Sequence, residues 1–114
     1  MLRRVKGDRL GEFEELTMLA VLALGDGAYG VVVQETIERT AAREVTLGAV
    51  YAALERMERK GLVRSALSEV TPERGGKRRR LFEVTPAGLR VLRDARRARE
   101  ALWSAVPSVI RGRT

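Results

Sequence analysis

A mainly α-helical domain carrying one small β-hairpin is the fold class this sequence predicts, on three observations. Apolar residues recur at three- and four-residue intervals over four separate stretches, as helical faces require. Two short β-favouring segments flank a run containing proline and a glycine pair, as a hairpin requires. The 114 residues, 45% hydrophobic and 32% charged, suffice for one core and leave no material for a second.

Glu12 to Leu24 is rich in helix formers, and Phe13, Leu16, Ala20 and Leu24 repeat at the spacing of one helical face. Leu19, Val21 and Leu22 widen that face almost all the way round, which predicts a central helix or one shared with a second subunit. Gly25-Asp26-Gly27 stops it. Tyr29 to Thr40 is read as a second helix from the spacing of Tyr29, Val33 and Ile37, against the strand preference of Val31, Val32 and Val33. Thr46 to Lys60 is the clearest helix: Thr46 serves as N-cap, Leu47, Val50, Leu54 and Met57 form a seam, and Gly61 ends it. Gly48, Ala49, Ala52, Arg56 and Arg59 turn to the other side, either as a face that a partner approaches closely or as an ordinary solvated one.

Leu62 to Val70 and Arg79 to Thr85 read as two strands, with Pro72 and Gly75-Gly76 marking the loop between them. Thr85 and Pro86 open a last helix as N-cap and first helical residue, and Pro107 disfavours its continuation past Val106. At 1.5 Å per residue this helix is about 30 Å long, nearly the width of a small domain. Val91, Ala95, Ala98, Leu102 and Ala105 form a seam along it, while Arg90, Arg93, Arg96, Arg97 and Arg99 mostly lie off that seam. This is the pattern of a helix that pairs.

Composition excludes much chemistry. The sequence has no cysteine and no histidine, so disulfides, the usual zinc sites and the Ser-His and Cys-His nucleophile pairs cannot be built. Glu12, Glu14 and Glu15 stand at a helix start, where the macrodipole favours them without any catalytic role. The longest apolar run, Met18 to Leu24, falls far short of the roughly 20 residues that span a bilayer, and no signal-peptide core follows the basic start. The expectation is a cytoplasmic protein with no membrane partner, no metal, no cofactor and no enzymatic activity.

Charge points elsewhere. Lys and Arg number 22 against 15 Asp and Glu, a net charge of +7, and the surplus is concentrated between Thr71 and Arg99. Helix, helix, helix, hairpin with a basic tip, helix is the order of a winged helix-turn-helix. In that fold the third helix enters the major groove, the second crosses the backbone and the hairpin wing reaches phosphates. Arg74, Lys77, Arg78, Arg79 and Arg80 cluster at the wing, where Gly75 and Gly76 let the backbone come close. Such a cluster repels itself and gains from a nearby anion, so double-stranded DNA is favoured as partner over a merely solvated loop.

The motifs carry a family resemblance. Leu10-Gly11-Glu12-Phe13-Glu14, Gly25-Asp26 with Ala28-Tyr29-Gly30, and Leu47 through Arg56 (LGAVYAALER) stand in order with Lys60-Gly61-Leu62-Val63, Glu73 through Arg78 (ERGGKR) and Leu81 through Val84-Thr85-Pro86-Ala87-Gly88. Together, over about Leu10 to Leu92, they resemble the PadR family of bacterial transcriptional regulators. The resemblance implies a homodimeric winged-helix repressor of the short subgroup that ends in one long dimerisation helix. It further implies that Thr46, Ala49, Tyr51, Ala52 and Arg56 face DNA and that Lys77, Arg78 and Arg79 form the wing contact. Tyr51 lies about a quarter-turn from the seam, where its ring covers the core edge and its hydroxyl reaches towards a phosphate; Tyr51 reads equally as a packing residue with a wet tip, and Tyr29 is read first as one. Leu81-Phe82 departs from the aromatic pairs of many relatives, so wing packing differs slightly. Some members similar to this sequence sense small aromatic or cationic compounds beside the C-terminal helices, which implies Trp103 as a lining for such an effector; a tryptophan at a pairing seam also reads as a packing anchor.

The expected organisation is a basic N-terminal arm over residues 1–9, a winged helix-turn-helix over 10–85, a dimerisation helix over 86–106 and a basic tail over 107–114. Val91, Ala95, Ala98 and Leu102, with the apolar surface around Leu16, exceed what a core of this size covers. A homodimer is expected; the last helix folding back on its own domain is the alternative. The expected function is a dimeric, sequence-specific DNA-binding repressor relieved by a small ligand. The alternative is a dimeric adaptor whose winged helix binds protein, against which stand the basic wing and the small-residue face of the third helix.

Overall fold

The computed structural model describes residues 10–69 and 78–112. Helices α1 (Glu12–Leu24), α2 (Gly30–Ala41) and α3 (Leu47–Arg59) are followed by strands β1 (Val63–Leu67) and β2 (Arg80–Val84), the long helix α4 (Pro86–Ala105) and a single-turn helix α5 (Ser108–Arg111). This is the mainly helical winged helix-turn-helix that the sequence predicts.

Capping chemistry sets the helix ends. Thr46 Oγ1 accepts from the Ala49 N–H at 3.0 Å and Thr85 Oγ1 from the Gly88 N–H at 3.1 Å, so both expected N-caps form. Gly25 closes α1 with a positive φ of 65°, and Gly25–Gly27 continue as one 3-10 turn. Thr85 also donates its hydroxyl to the Gly61 carbonyl at 2.7 Å and its N–H to that of Leu62 at 3.0 Å. The start of α4 is thereby bolted to the end of α3.

The core lies where α1, α2 and α3 meet the hairpin. Met18, Val33, Val50, Leu54 and Met57 are wholly buried, with Val21, Ile37, Val63, Phe82 and Leu92 around them. The strands pair antiparallel from Val63 opposite Val84 to Leu67 opposite Arg80. Beyond β2 the Phe82 N–H donates to the Ala28 carbonyl at 2.8 Å, which fastens the turn before α2 to the outer edge of the hairpin.

Two expectations are corrected. On α1 the most buried side chains are Thr17, Met18 and Val21, while Phe13, Leu16 and Leu24 are half-buried and Leu19 and Leu22 are exposed. A helix apolar on nearly every side offers no periodicity by which to choose its inner face. The strands are shorter than read, because Leu62 turns back to give its N–H to the Met57 carbonyl at 2.9 Å and Thr85 is spent on the α4 cap; Val70 lies outside the described residues. The tail after Pro107 contains α5, which carries Val109 and Ile110 exposed.

Candidate nucleic-acid interface

The turn before α3 is held from several sides. Gln34 Nε2 donates to the Val45 carbonyl at 2.9 Å, the Val45 N–H to Glu38 Oε2 at 3.3 Å, and Arg43 pairs with Glu12 at the start of α1. Ala42 ends α2 in the left-handed region, with φ 52°. These contacts fix where Thr46 stands, exposed at the tip of α3, its hydroxyl proton still free to donate while Oγ1 caps the helix.

The faces of α3 separate cleanly. Val50, Ala53, Leu54 and Met57 are buried, and a helix advancing roughly 100° per residue then points Gly48, Ala52, Glu55 and Arg59 straight outward. Ala49 is exposed on the flank towards α1. Arg56 stands on the same flank, where its Nε donates to Glu14 Oε2 at 2.9 Å. Tyr51 stands on the opposite flank, half-buried, its ring and hydroxyl against Gly30 at the start of α2. Thr46, Ala49, Tyr51, Ala52 and Arg56 thus span the outward face and both flanks, and Gly48, Glu55 and Arg59 stand with Ala52 on the outward face without being among the residues that the resemblance implies.

At the hairpin, the Arg79 guanidinium lies over the Tyr29 ring, 4.1 Å from its centroid, within range of a cation–π contact. Arg78 is exposed, and Arg80 Nη1 donates to Ser65 Oγ at 2.9 Å. Gly75, Gly76 and Lys77 lie outside the described residues. The N-terminus of α2 therefore gathers Tyr51 from α3, Tyr29 as its own N-cap residue and Arg79 from the wing, at the positive end of a helix dipole.

Glu14 holds both flanks of its own helix start together. Its Oε1 accepts from the Gly11 N–H at 2.9 Å and its Oε2 from Arg56. Burial works to raise its pKa, but these two hydrogen bonds and the charges of Lys60 and Arg56 outweigh it and hold the carboxyl below its ordinary value. The neighbouring Glu15, itself buried, receives Arg99 of α4, whose pKa is raised by that bond. Each of the three glutamates read as dipole partners is thus claimed by an arginine from a different part of the chain.

The seam residues of α4 lie in different settings. Val91 and Ala95 are half-buried, Ala98 is exposed, and Leu102 and Trp103 are 71% and 54% exposed. Val91, Ala95 and Ala98 line a hollow of about 290 Å³ on one side of the Arg99–Glu15 pair. Trp103 lines a groove of about 460 Å³ on the other, with Leu19, Leu22, Leu89 and Arg93. Leu16 borders a separate apolar hollow between α1 and α2. Among the described residues no cluster of side chains suits a metal ion, and no helix is long and apolar enough to cross a membrane.

Known proteins share this architecture. A PadR family regulator from Eggerthella lenta is 26% identical, with a TM-score of 0.65 over 87% of this chain and 86% of its own. A PadR-like regulator from Bacillus cereus is 18% identical at TM-score 0.69, covering 86% and 90%. A putative transcriptional regulator from Thermoplasma acidophilum is 22% identical at TM-score 0.66, again over 86% and 90%. No curated protein matches. The model of the transcriptional regulator PadR-like family matches residues 18–94, which take in α2, α3, the hairpin and the first half of α4. The chain belongs to the PadR-like family of transcriptional regulators.

Proposed function

We propose that the protein is a homodimeric, sequence-specific DNA-binding repressor that works in the cytoplasm, with α3 as its recognition helix. The observation that carries this reading is the outward face of α3. Gly48, Ala49 and Ala52 are exposed and small over its first turns, so the helix backbone itself can lie close to a groove floor, with Arg59 further along. Thr46 and Tyr51 are suited to phosphates on either side of the groove, and Arg78 and Arg79, with Gly75, Gly76 and Lys77 of the wing loop, to the next phosphates along. So small a face makes few bidentate base contacts, and thymine methyls and DNA shape supply the rest of the specificity.

Pairing of two copies through Val91, Ala95, Ala98 and Leu102, with Leu16 of α1 contributing, would present two α3 helices to half-sites about 34–36 Å apart or a multiple of it. The groove beside Trp103 has the size of a small-ligand site, and its leucines and indole suit an aromatic effector that relieves DNA binding.

The test is an electrophoretic shift series in salt, using the DNA upstream of the protein's own gene and a scrambled duplex. Wild type should prefer the upstream DNA, and Lys77→Ala with Arg78→Ala should weaken both complexes and flatten log affinity against log salt by about one per lost contact. An unchanged slope removes the wing from the interface; equal binding of both duplexes removes sequence specificity.

A further inference from the structure

Two arginines stand near each other on the exposed side of α3 and are treated differently by the fold. Arg59 is at the centre of the outward face and, among the described residues, makes no ion pair. Arg56, one turn earlier, is tethered: its Nε donates to Glu14 Oε2 at 2.9 Å, and the Glu14 side chain is only 12% exposed. The other Glu14 oxygen accepts from the Gly11 N–H, which ties the carboxylate to the start of α1. Only the Nε edge is engaged, and 43% of the Arg56 side chain remains open.

We propose that Glu14 is a positioning residue for the recognition helix. By gripping Nε it pins the guanidinium to the α1 flank and keeps a second mobile cation from joining Arg59 on the outward face, where it would add a phosphate contact regardless of sequence. Glu14 therefore adds to discrimination between sequences at the expense of overall affinity. This rests on the reading of α3 as the DNA-contacting helix.

The test compares wild type, Glu14→Gln, Arg56→Ala and the double variant for affinity to operator and scrambled DNA across salt, with melting temperatures alongside. Glutamine keeps the cap on Gly11 and loses the charge. Glu14→Gln should tighten scrambled DNA, steepen its salt slope by about one and lower the operator-to-scrambled ratio roughly fivefold or more. In the Arg56→Ala background the same change should do nothing to ratio or slope. A purely structural Glu14 would instead weaken both complexes alike and leave their ratio unchanged, and an effect of Glu14→Gln that persists without Arg56 would be a general field effect; either outcome overturns the proposal. If Glu14→Gln does not fold, Arg56→Lys serves, since it keeps the charge and loses the planar Nε donor, and an unchanged ratio there is equally fatal. Wild type that ignores salt and sequence alike would instead sink the DNA-binding reading itself.

Discussion

The Tyr51 ring fills the space in which a side chain on Gly30 would stand: a Cβ there would come within 2.3 Å of the tyrosine Cζ and 2.4 Å of its hydroxyl oxygen. Gly30 is helical, not left-handed, so its glycine is required by this approach and not by its backbone angles.

Gly30→Ala should therefore evict Tyr51 from the start of α2. The displaced group is the far end of a half-exposed side chain, so the stability loss should be about 1 kcal/mol, the low end for overpacking. Gly88→Ala meets the Leu62 carbonyl oxygen at 2.1 Å, which is backbone and cannot swing away. It should cost about 3 kcal/mol or more. Paired thermal melts and shift assays check the contrast: Gly30→Ala should lose DNA affinity before stability, Gly88→Ala stability first.

Ala52 and Leu54 lie two residues apart on α3, one exposed and the other wholly buried. Ala52→Glu should abolish DNA binding through charge and bulk and leave the melting temperature almost unaltered. Leu54→Ala should cost about 2 to 5 kcal/mol of stability in denaturant titrations. An unfolded Ala52→Glu would show that the outward face is in fact packed.

Aspartate at both Ala98 and Leu102 places charges on exposed positions of α4 that the isolated domain does not need. Sedimentation at micromolar concentration should show a dimer for wild type and a monomer for the double variant, with the winged domain still folded by circular dichroism. A dimer that survives both substitutions would assign the seam elsewhere.

Glu14 gives a pH signature. Its folded pKa lies below the ordinary value of 4.5, so its stabilising effect is complete above that value and is lost as the pH falls through the folded pKa. Urea midpoints of wild type should exceed those of Glu14→Gln at pH 7 and converge with them towards pH 3. The sequence has no histidine to add a second transition near neutrality. A gap that is the same at both pH values would place the stabilisation outside the ion pair.

The parts of the fold set by local chemistry were readable in advance. Thr46 and Thr85 cap the helices they precede, and Val50, Leu54 and Met57 fall on one buried face, because caps and seams depend on neighbours a turn away. The inner face of α1 was not readable, since its apolar residues surround it. Nor were the grips of Glu14 on Arg56 and Glu15 on Arg99, whose partners are 42 and 84 residues distant and come together only through packing. The same holds for Arg79 over Tyr29, which turns a cation assigned wholly to the wing into part of the α2 N-terminus as well. Gly30 and Gly88 stand in the sequence motifs, but the reason for each is a neighbour the sequence does not name, a ring in one case and a carbonyl in the other.

The hydrogen bond from Phe82 to the Ala28 carbonyl makes one amide a timekeeper for the whole domain. In a hairpin of two strands, outward N–H groups normally trade hydrogen for deuterium with the solvent in short order. This one is sheltered by the segment ahead of α2 and by a side chain that is almost fully buried. It becomes available to solvent when the wing parts from the turn ahead of α2, so its exchange rate records how often that contact opens. A slow Phe82 amide would mark wing and helices as a single cooperative unit, and a fast one would mark the wing as an appendage that loosens on its own.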